Sequence, residues 1–334
     1  MSTLRPLTHR QTVAALAMVA ALLTALSMAV GETRLDVFAA AADFVHGRDS
    51  LASLILVELR LPRALLGAAT GFGLGLAGAA MQGLLRNPLA EPGVMGISGA
   101  AALGAVVMFY AGLTGVFAFA LPLGGMAGAA AASVILFALA GRGLGTMALV
   151  LAGVAINSLA GALTSLALNL SPNPYAALEI VFWLMGSLAD RSLADIALAL
   201  VPAAPGWWLL LTAGRALDAL SLGEDVAQSL GFNLRWLRIR LILGTALAVG
   251  SAVAVTGMIG FVGLVAPHLA RPLAGREPGR VLPAAGFVGA ILTLGADILL
   301  RLLPTQPELN LGVVTALVGA PFLFLLLRRL RGEA

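Results

Sequence analysis

The chain has 334 residues, 60% of them hydrophobic and 11% charged, with a mean hydropathy of +1.00 and a formal net charge of +4. A soluble domain carries roughly a quarter charged residues, so this composition excludes a water-covered globule of that size. The absence of cysteine excludes disulfides, thiolate metal sites and thiol redox chemistry.

Long Leu/Ala/Gly/Val runs without apolar–polar alternation point to helices rather than barrel strands. A span needs about 20 apolar residues. With charges, prolines and glycine clusters as punctuation, the sequence predicts an all-α polytopic membrane protein of about ten transmembrane helices. They fall near 12–30, 61–84, 94–112, 115–139, 146–169, 193–213, 237–256, 258–271, 281–301 and 310–328. The eighth is short for a span, and a break is expected near Gly257 and Pro267. The chain reads as one transmembrane domain over 1–334, with a cytoplasmic loop at 214–236.

In chain order, Arg5, His9 and Arg10 precede the apolar run Val13–Val30, the pattern of a secretory leader ending near Ala29. The many spans that follow favour a retained first helix instead. Residues 31–60 form an external segment with room for a short helix. Arg60 and Arg63 flank Pro62 just outside the second helix, and the proline favours an extended approach. The motif Gly73-x-Gly75-x-x-Gly78 matches a dinucleotide fingerprint, but no strand precedes it and its surroundings are continuous apolar helix. The ladder Gly67, Gly71, Gly75, Ala79, Gly83 instead gives one small-residue face for close helix packing. Pro88 and Pro92 forbid regular helix between Arg86 and Ala101.

On the fifth helix, Gly153, Asn157, Gly161, Ser165 and Asn169 recur every four residues, so one face is small and polar. An amide in lipid is costly unless it faces protein or water. Two readings follow, a pathway-lining face or ordinary interhelical hydrogen bonding. The 214–236 loop places Leu217, Leu220, Val226, Leu230 and Leu234 among Asp218, Glu224 and Asp225. This suits short amphipathic helices lying on a partner, or a solvated connector. His268 reads as a proton carrier or as a structural, partner-facing histidine. Asp297 and Arg301 are four apart at the outer end of the ninth helix and can pair. Outer arginines of this kind snorkel to headgroups or dock an acidic protein.

All 20 basic residues are Arg. Without Lys the chain carries no Walker A loop of its own. The sequence pI near 10.8 comes from arginines scattered between spans rather than from a nucleic-acid patch. With the N-terminus inside, Arg5, Arg10, Arg86, Arg142, Arg215, Arg235, Arg238, Arg240, Arg271, Arg276, Arg280, Arg328, Arg329 and Arg331 are cytoplasmic. Arg34, Arg48, Arg60, Arg63, Arg191 and Arg301 are external, so the split is fourteen to six. The positive-inside rule then puts both termini in the cytoplasm.

Several ungapped motifs share an order and spacing. They are LRLPR (59–63), MQGLLRNPLAEPGVMGIS (81–98), LGEDVAQSLG (222–231), GFVGLVAPHLAR (260–271), ADILLR (296–301) and LGVVTALVGAPFLFLLL (311–327). Over residues 55–330 they resemble the permease subunits of ABC importers for ferric siderophores, haem and cobalamin. The resemblance implies a bacterial inner-membrane subunit of ten helices that pairs with a second copy or close homologue. It also implies partnership with a cassette ATPase, which holds ATP and Mg, and with a periplasmic binding protein. The permease itself binds no cofactor or metal and is not an enzyme.

Carried over by motif, Arg60, Arg63 and Arg301 correspond to docking residues for the binding protein. Gly223, Glu224, Ala227 and Gly231 lie in the ATPase-coupling helices, and the fifth helix lines the pathway. Relatives often carry an Asp-His pair after Arg271, where this chain reads PLAGREPGR. The implied cargo is a metal chelate, with ferric siderophore ranked before haem and cobalamin. The rival is a secondary transporter of a small solute, which needs intramembrane carboxylates or an ion site. Glu91, Asp297 and Glu308 fall near the boundaries of the spans.

Overall fold

A computed structural model describes residues 8–31, 33–48, 50–117, 119–140, 146–171, 173–303 and 308–332, and among them every regular element is helical. Arg5 and Arg142, both counted on the cytoplasmic side, lie outside the described residues.

Helix α1 (His9–Ala29) starts at Thr8, which forms a capping box with Gln11. The 31–60 segment contains the short helix that the sequence leaves room for, α2 (Val37–Val45), capped by Asp36. Next, α3 (Leu51–Leu54) runs through a π-helical turn, Ile55–Arg60, directly into α4 (Leu61–Leu85). The expected extended approach at Pro62 is therefore corrected. A proline fits the first turn of an α-helix, where its missing N–H costs nothing. The π-turn ends there, with Leu61 N–H donating to Leu56 O, so Arg60 and Arg63 lie three residues apart on one helical surface.

Arg86 ends α4 in a left-handed conformation, φ 48°. After a 3-10 turn at Pro92–Met95, α5 (Ile97–Tyr110) begins, and α6 (Ala120–Ala140), α7 (Thr146–Asn169) and α8 (Pro174–Leu184) follow. The sequence reading missed α8, whose 11 residues are short for a span and lie behind Pro174. Then come α9 (Leu193–Leu211), α10 (Gly214–Ser221), α11 (Glu224–Ser229) and α12 (Leu234–Thr256). The last three are α13 (Val262–Ala274), α14 (Pro278–Leu302) and α15 (Leu311–Gly332). The break at Gly257 occurs as expected, but Pro267 sits inside α13 and does not interrupt it.

Among the described residues, seven helical runs are long and apolar enough to cross a membrane. α5, with 14 residues, and α13, with 13, fall short of that length. The polytopic helical class stands, while a count of ten spans rests on adding α5, α13 and α15.

Glycines set the packing of α4. A methyl added at Gly75 would meet the carbonyl oxygen of Ala285 in α14, and one added at Gly78 would meet that of Gly263 in α13. Gly73 faces Ala248 of α12 and Trp207 of α9. The three glycines of the apparent dinucleotide fingerprint thus serve three helix contacts. Helix association in lipid lacks a hydrophobic drive and depends on such close approach.

Candidate functional site

At one end of the bundle two arginines close the C-terminus of α1. Arg60, 6% exposed, donates from Nη1 to the carbonyls of Met28 and Ala29, both at 3.0 Å, and from Nη2 to Thr33 O at 2.5 Å. Arg301 donates from Nη1 to Ser27 O and Val30 O, both at 2.7 Å, and from Nη2 to Ser27 Oγ at 2.5 Å. The last carbonyls of a helix have no intrahelical donor, and that end carries partial negative charge. Two guanidinium groups supply both the donors and the countercharge.

Asp297, 1% exposed, links this cap to a second pair. It lies 2.9 Å from Arg301 and 2.9 Å from Arg63. Arg63 also pairs through both terminal nitrogens with Glu308, whose side chain is 37% exposed. Arg60, Arg63, Arg301, Glu308 and Asp190 together line a cavity of about 340 Å³. The fold therefore gathers the three arginines singled out from the sequence, although 245 positions separate Arg63 from Glu308. It also engages each of them internally. Arg191, just before α9, belongs to the same outer arginine set, and its Nε has no partner among the described residues. Burial pulls its pKa below the usual arginine range, partly offset by Asp195 and Asp190.

At the other end, the 214–236 loop folds into α10 and α11. Leu217, Leu220 and Leu234 point into the core, whereas Leu222, Val226 and Leu230 are 69%, 41% and 60% exposed. Ala227 is fully buried. Gly223 precedes α11 at φ 122° and Gly231 follows it at φ 88°, backbone that side chains rarely adopt. Glu224 forms an ion pair with Arg238 of α12 at 2.9 Å. Asp218 accepts the N–H of Gly279, tying α10 to the first turn of α14.

On α7, Gly153 is buried against α5, where a methyl at Gly96 would meet its carbonyl, and the Asn157 amide oxygen lies against Gly99. Asn157 is otherwise exposed, as are Gly161, Ser165 and Asn169. The lower part of the ladder thus serves packing, and its upper part stays uncovered in the single chain.

Residues 18–329 match the model of the FecCD transport family. The chain belongs to that family. It is 41% identical over 286 residues to the hemin transport system permease protein of Yersinia pestis, covering 82% of this chain and 84% of that one. Over 307 residues it is 41% identical to the vitamin B12 import system permease protein of Vibrio cholerae, covering 91% and 89%. A solved structure described as an inward-facing conformation of a metal-chelate type ABC transporter aligns with a TM-score of 0.83 at 29% identity. That alignment covers 96% of this chain and 99% of the other.

As a FecCD permease the chain is a transmembrane transport protein of the ABC type, and its broken segments take on meaning. The Glu91 carboxylate, assigned from sequence to a boundary, accepts the N–H of Phe261 at 3.3 Å, where the break before α13 holds φ 64°. A methyl on Gly263 would meet Pro92. The Arg86–Ala101 segment therefore turns back against the α12–α13 break, so that the two stretches of irregular backbone pack on each other. No local pattern in the sequence announces this pairing, because it joins residues 170 positions apart.

Proposed function

We propose that this chain is the membrane permease of an ATP-driven importer that carries a metal chelate across the bacterial inner membrane. The named relatives handle hemin and vitamin B12, so a metal tetrapyrrole is favoured over a ferric siderophore. Residues 1–334 act as one permease domain of ten crossings, the seven long runs plus α5, α13 and α15, with both termini cytoplasmic. Two copies, a cassette ATPase that holds ATP and Mg, and a periplasmic binding protein complete the machine. This subunit makes and breaks no covalent bond and holds no cofactor or metal of its own.

One observation carries the reading. The outer cavity with its three arginines and the inner loop with its exposed apolar residues lie at opposite ends of a single helix, α14. At 1.5 Å per residue, its 25 residues span about 37 Å. An acidic side chain of the binding protein enters the cavity beside Arg63, whose solvent-exposed partner Glu308 is the one it displaces. Leu222, Val226 and Leu230 seat in a cleft of the ATPase, with Gly223 and Gly231 shaping the turn, Glu224 bracing it on Arg238 and Ala227 anchoring it to the core. ATP binding moves this loop, and the two permeases rock between outward and inward openings. Gly161, Ser165 and Asn169 line the route between the copies. Tight binding along that route would hold the cargo against release, so selection rests with the binding protein.

The test is ATPase activity in proteoliposomes containing the permease, its cassette subunit and the binding protein, with hemin, cobalamin and a ferric siderophore compared. Stimulation by one loaded binding protein, lost in Arg63→Glu, supports the reading and names the cargo. Cargo uptake without any ATPase, driven by a proton gradient, would establish the secondary-transport rival instead.

A further inference from the structure

The inner end of the bundle holds a second charged cavity that none of the transport roles uses. It has a volume of about 680 Å³, and Gln82, Arg86, Asn87, His268, Arg271 and Arg276 supply its polar lining. Among the described residues, no Asp or Glu lines it. None of the three arginines forms an ion pair among the described residues. The acids closest to it in sequence have partners elsewhere: Glu277 pairs with Arg280 at 2.7 Å, Glu224 with Arg238 at 2.9 Å, Asp218 accepts Gly279 N–H at 2.7 Å and Glu91 accepts Phe261 N–H at 3.3 Å.

The arrangement is built rather than incidental. Gln82 is 4% exposed and donates to Leu264 O at 3.3 Å, while its Oε1 accepts from Arg271 Nη2 at 2.6 Å. A buried amide thus fixes one guanidinium. Arg86 occupies the left-handed end of α4, a conformation that non-glycine residues seldom adopt. Three like charges around one cavity repel one another, and an anion relieves that repulsion. Arginine matches phosphate oxygens in bidentate fashion. Ala79, Val281 and Leu326 add apolar lining to the same cavity. These residues come from the ends of α4, α13 and α15 and the start of α14, the depth at which phospholipid headgroups meet membrane helices.

We propose that this cavity binds the headgroup of an anionic phospholipid of the cytoplasmic leaflet. Its phosphate sits among Arg86, Arg271 and Arg276, and its glycerol and first methylenes lie against the apolar lining. Ser221, the last residue of α10, borders the same cavity, so the lipid packs beside the loop assigned to coupling. Assignment to the cytoplasmic leaflet rests on the orientation proposed above. Binding itself needs neither ATPase nor binding protein.

The test uses the full-length chain alone, stripped of lipid in neutral detergent. It is titrated with dioleoyl phosphatidylglycerol, dioleoyl phosphatidylcholine, inorganic phosphate and ATP, and adducts are counted by native mass spectrometry. We expect retained phosphatidylglycerol adducts, no phosphatidylcholine adducts, and affinity about tenfold weaker in Arg276→Gln, the loss of one charge-assisted contact. Arg276→Lys should retain most of the binding, and Arg215→Gln, at an exposed site elsewhere on this end, should bind as the native chain does. Because Arg276 is exposed, its replacement leaves the fold intact, and a matching thermal melt without lipid checks this. Equal binding of phosphatidylcholine, or unchanged binding in Arg276→Gln, overturns the proposal. Phosphate or ATP binding as tightly as the lipid assigns the cavity to a soluble anion and overturns the lipid source. Displacement of bound phosphatidylglycerol by added cassette ATPase assigns it to the protein partner, with the same consequence.

Discussion

Asp218 Oδ1 accepts the backbone N–H of Gly279 at 2.7 Å, so the short helix α10 caps the first turn of α14. The last turn of α14 carries Asp297 and Arg301, which hold α1 and the outer arginine cluster. Along its length a methyl at Gly71 or Gly75 of α4 would strike the α14 backbone. These contacts join α10 to the arginine cavity through one continuous helix, with no intervening loop.

Replacing Asp218 by Ala removes that cap, an interaction worth about 1 kcal/mol, and leaves the core untouched. Basal ATPase activity of the reconstituted complex should persist while uptake per ATP hydrolysed falls several-fold. Asp218→Asn keeps an acceptor oxygen and should lie between the two. Equal loss of ATPase activity and uptake in Asp218→Ala would mean that assembly, not coupling, depends on this residue.

Among the described residues, Asp297 is the one buried carboxylate, and it lies between two arginines. Removing one partner of a buried ionic set costs about 3–5 kcal/mol, because uncompensated charge remains. Asp297→Ala should therefore abolish recovery of monodisperse protein after mild heating, and Asp297→Asn should lower it. Native-like recovery of the Ala variant would show that water already solvates this cluster.

The glycine contacts give a graded test. Gly78→Ala must displace the Gly263 backbone, and overpacking of this kind costs about 1–3 kcal/mol. Gly295 of α14 has open space where a methyl would go, so Gly295→Ala should be neutral or slightly stabilising through helix propensity. Thermal aggregation midpoints of the two variants should differ by several degrees, and identical midpoints would refute the assignment of Gly78 to packing.

These tests mark the boundary of what a sequence discloses. The ladder on α4, the amphipathic helices of the 214–236 loop and the Asp297–Arg301 pair are local periodicities, and each is present in the fold. Three other features were invisible. The π-turn depends on how Pro62 is accommodated, the Arg60 cap on the position of α1, and the Glu91–Phe261 bond on two distant breaks meeting. Each is set by tertiary placement rather than by propensity. The length rule likewise separates the seven long runs from α5 and α13, whose adjoining breaks pack against each other.

Glu308 competes with any incoming carboxylate for Arg63. Glu308→Gln should therefore tighten binding of the periplasmic protein, by up to about tenfold for one released charge-assisted contact. Arg63→Gln should weaken it by a similar factor. Surface plasmon resonance on nanodisc-embedded permease reads both, and weaker binding in Glu308→Gln would place docking elsewhere on the outer face.

The proposal that the exposed half of the α7 ladder lines the route can be tested by labelling. Because the chain has no cysteine, single replacements report without background. Ser165→Cys and Asn169→Cys should react with a membrane-impermeant maleimide when the route is open to the outside. Gly153→Cys, set against α5, should stay unlabelled. If the route alternates, adding ATP and the cassette subunit should change the labelling rate at Ser165→Cys several-fold while leaving a cysteine at the exposed Phe38 of α2 unchanged. Equal, ATP-independent labelling at all ladder positions would mean that this face meets lipid or bulk water, and that the cargo passes elsewhere.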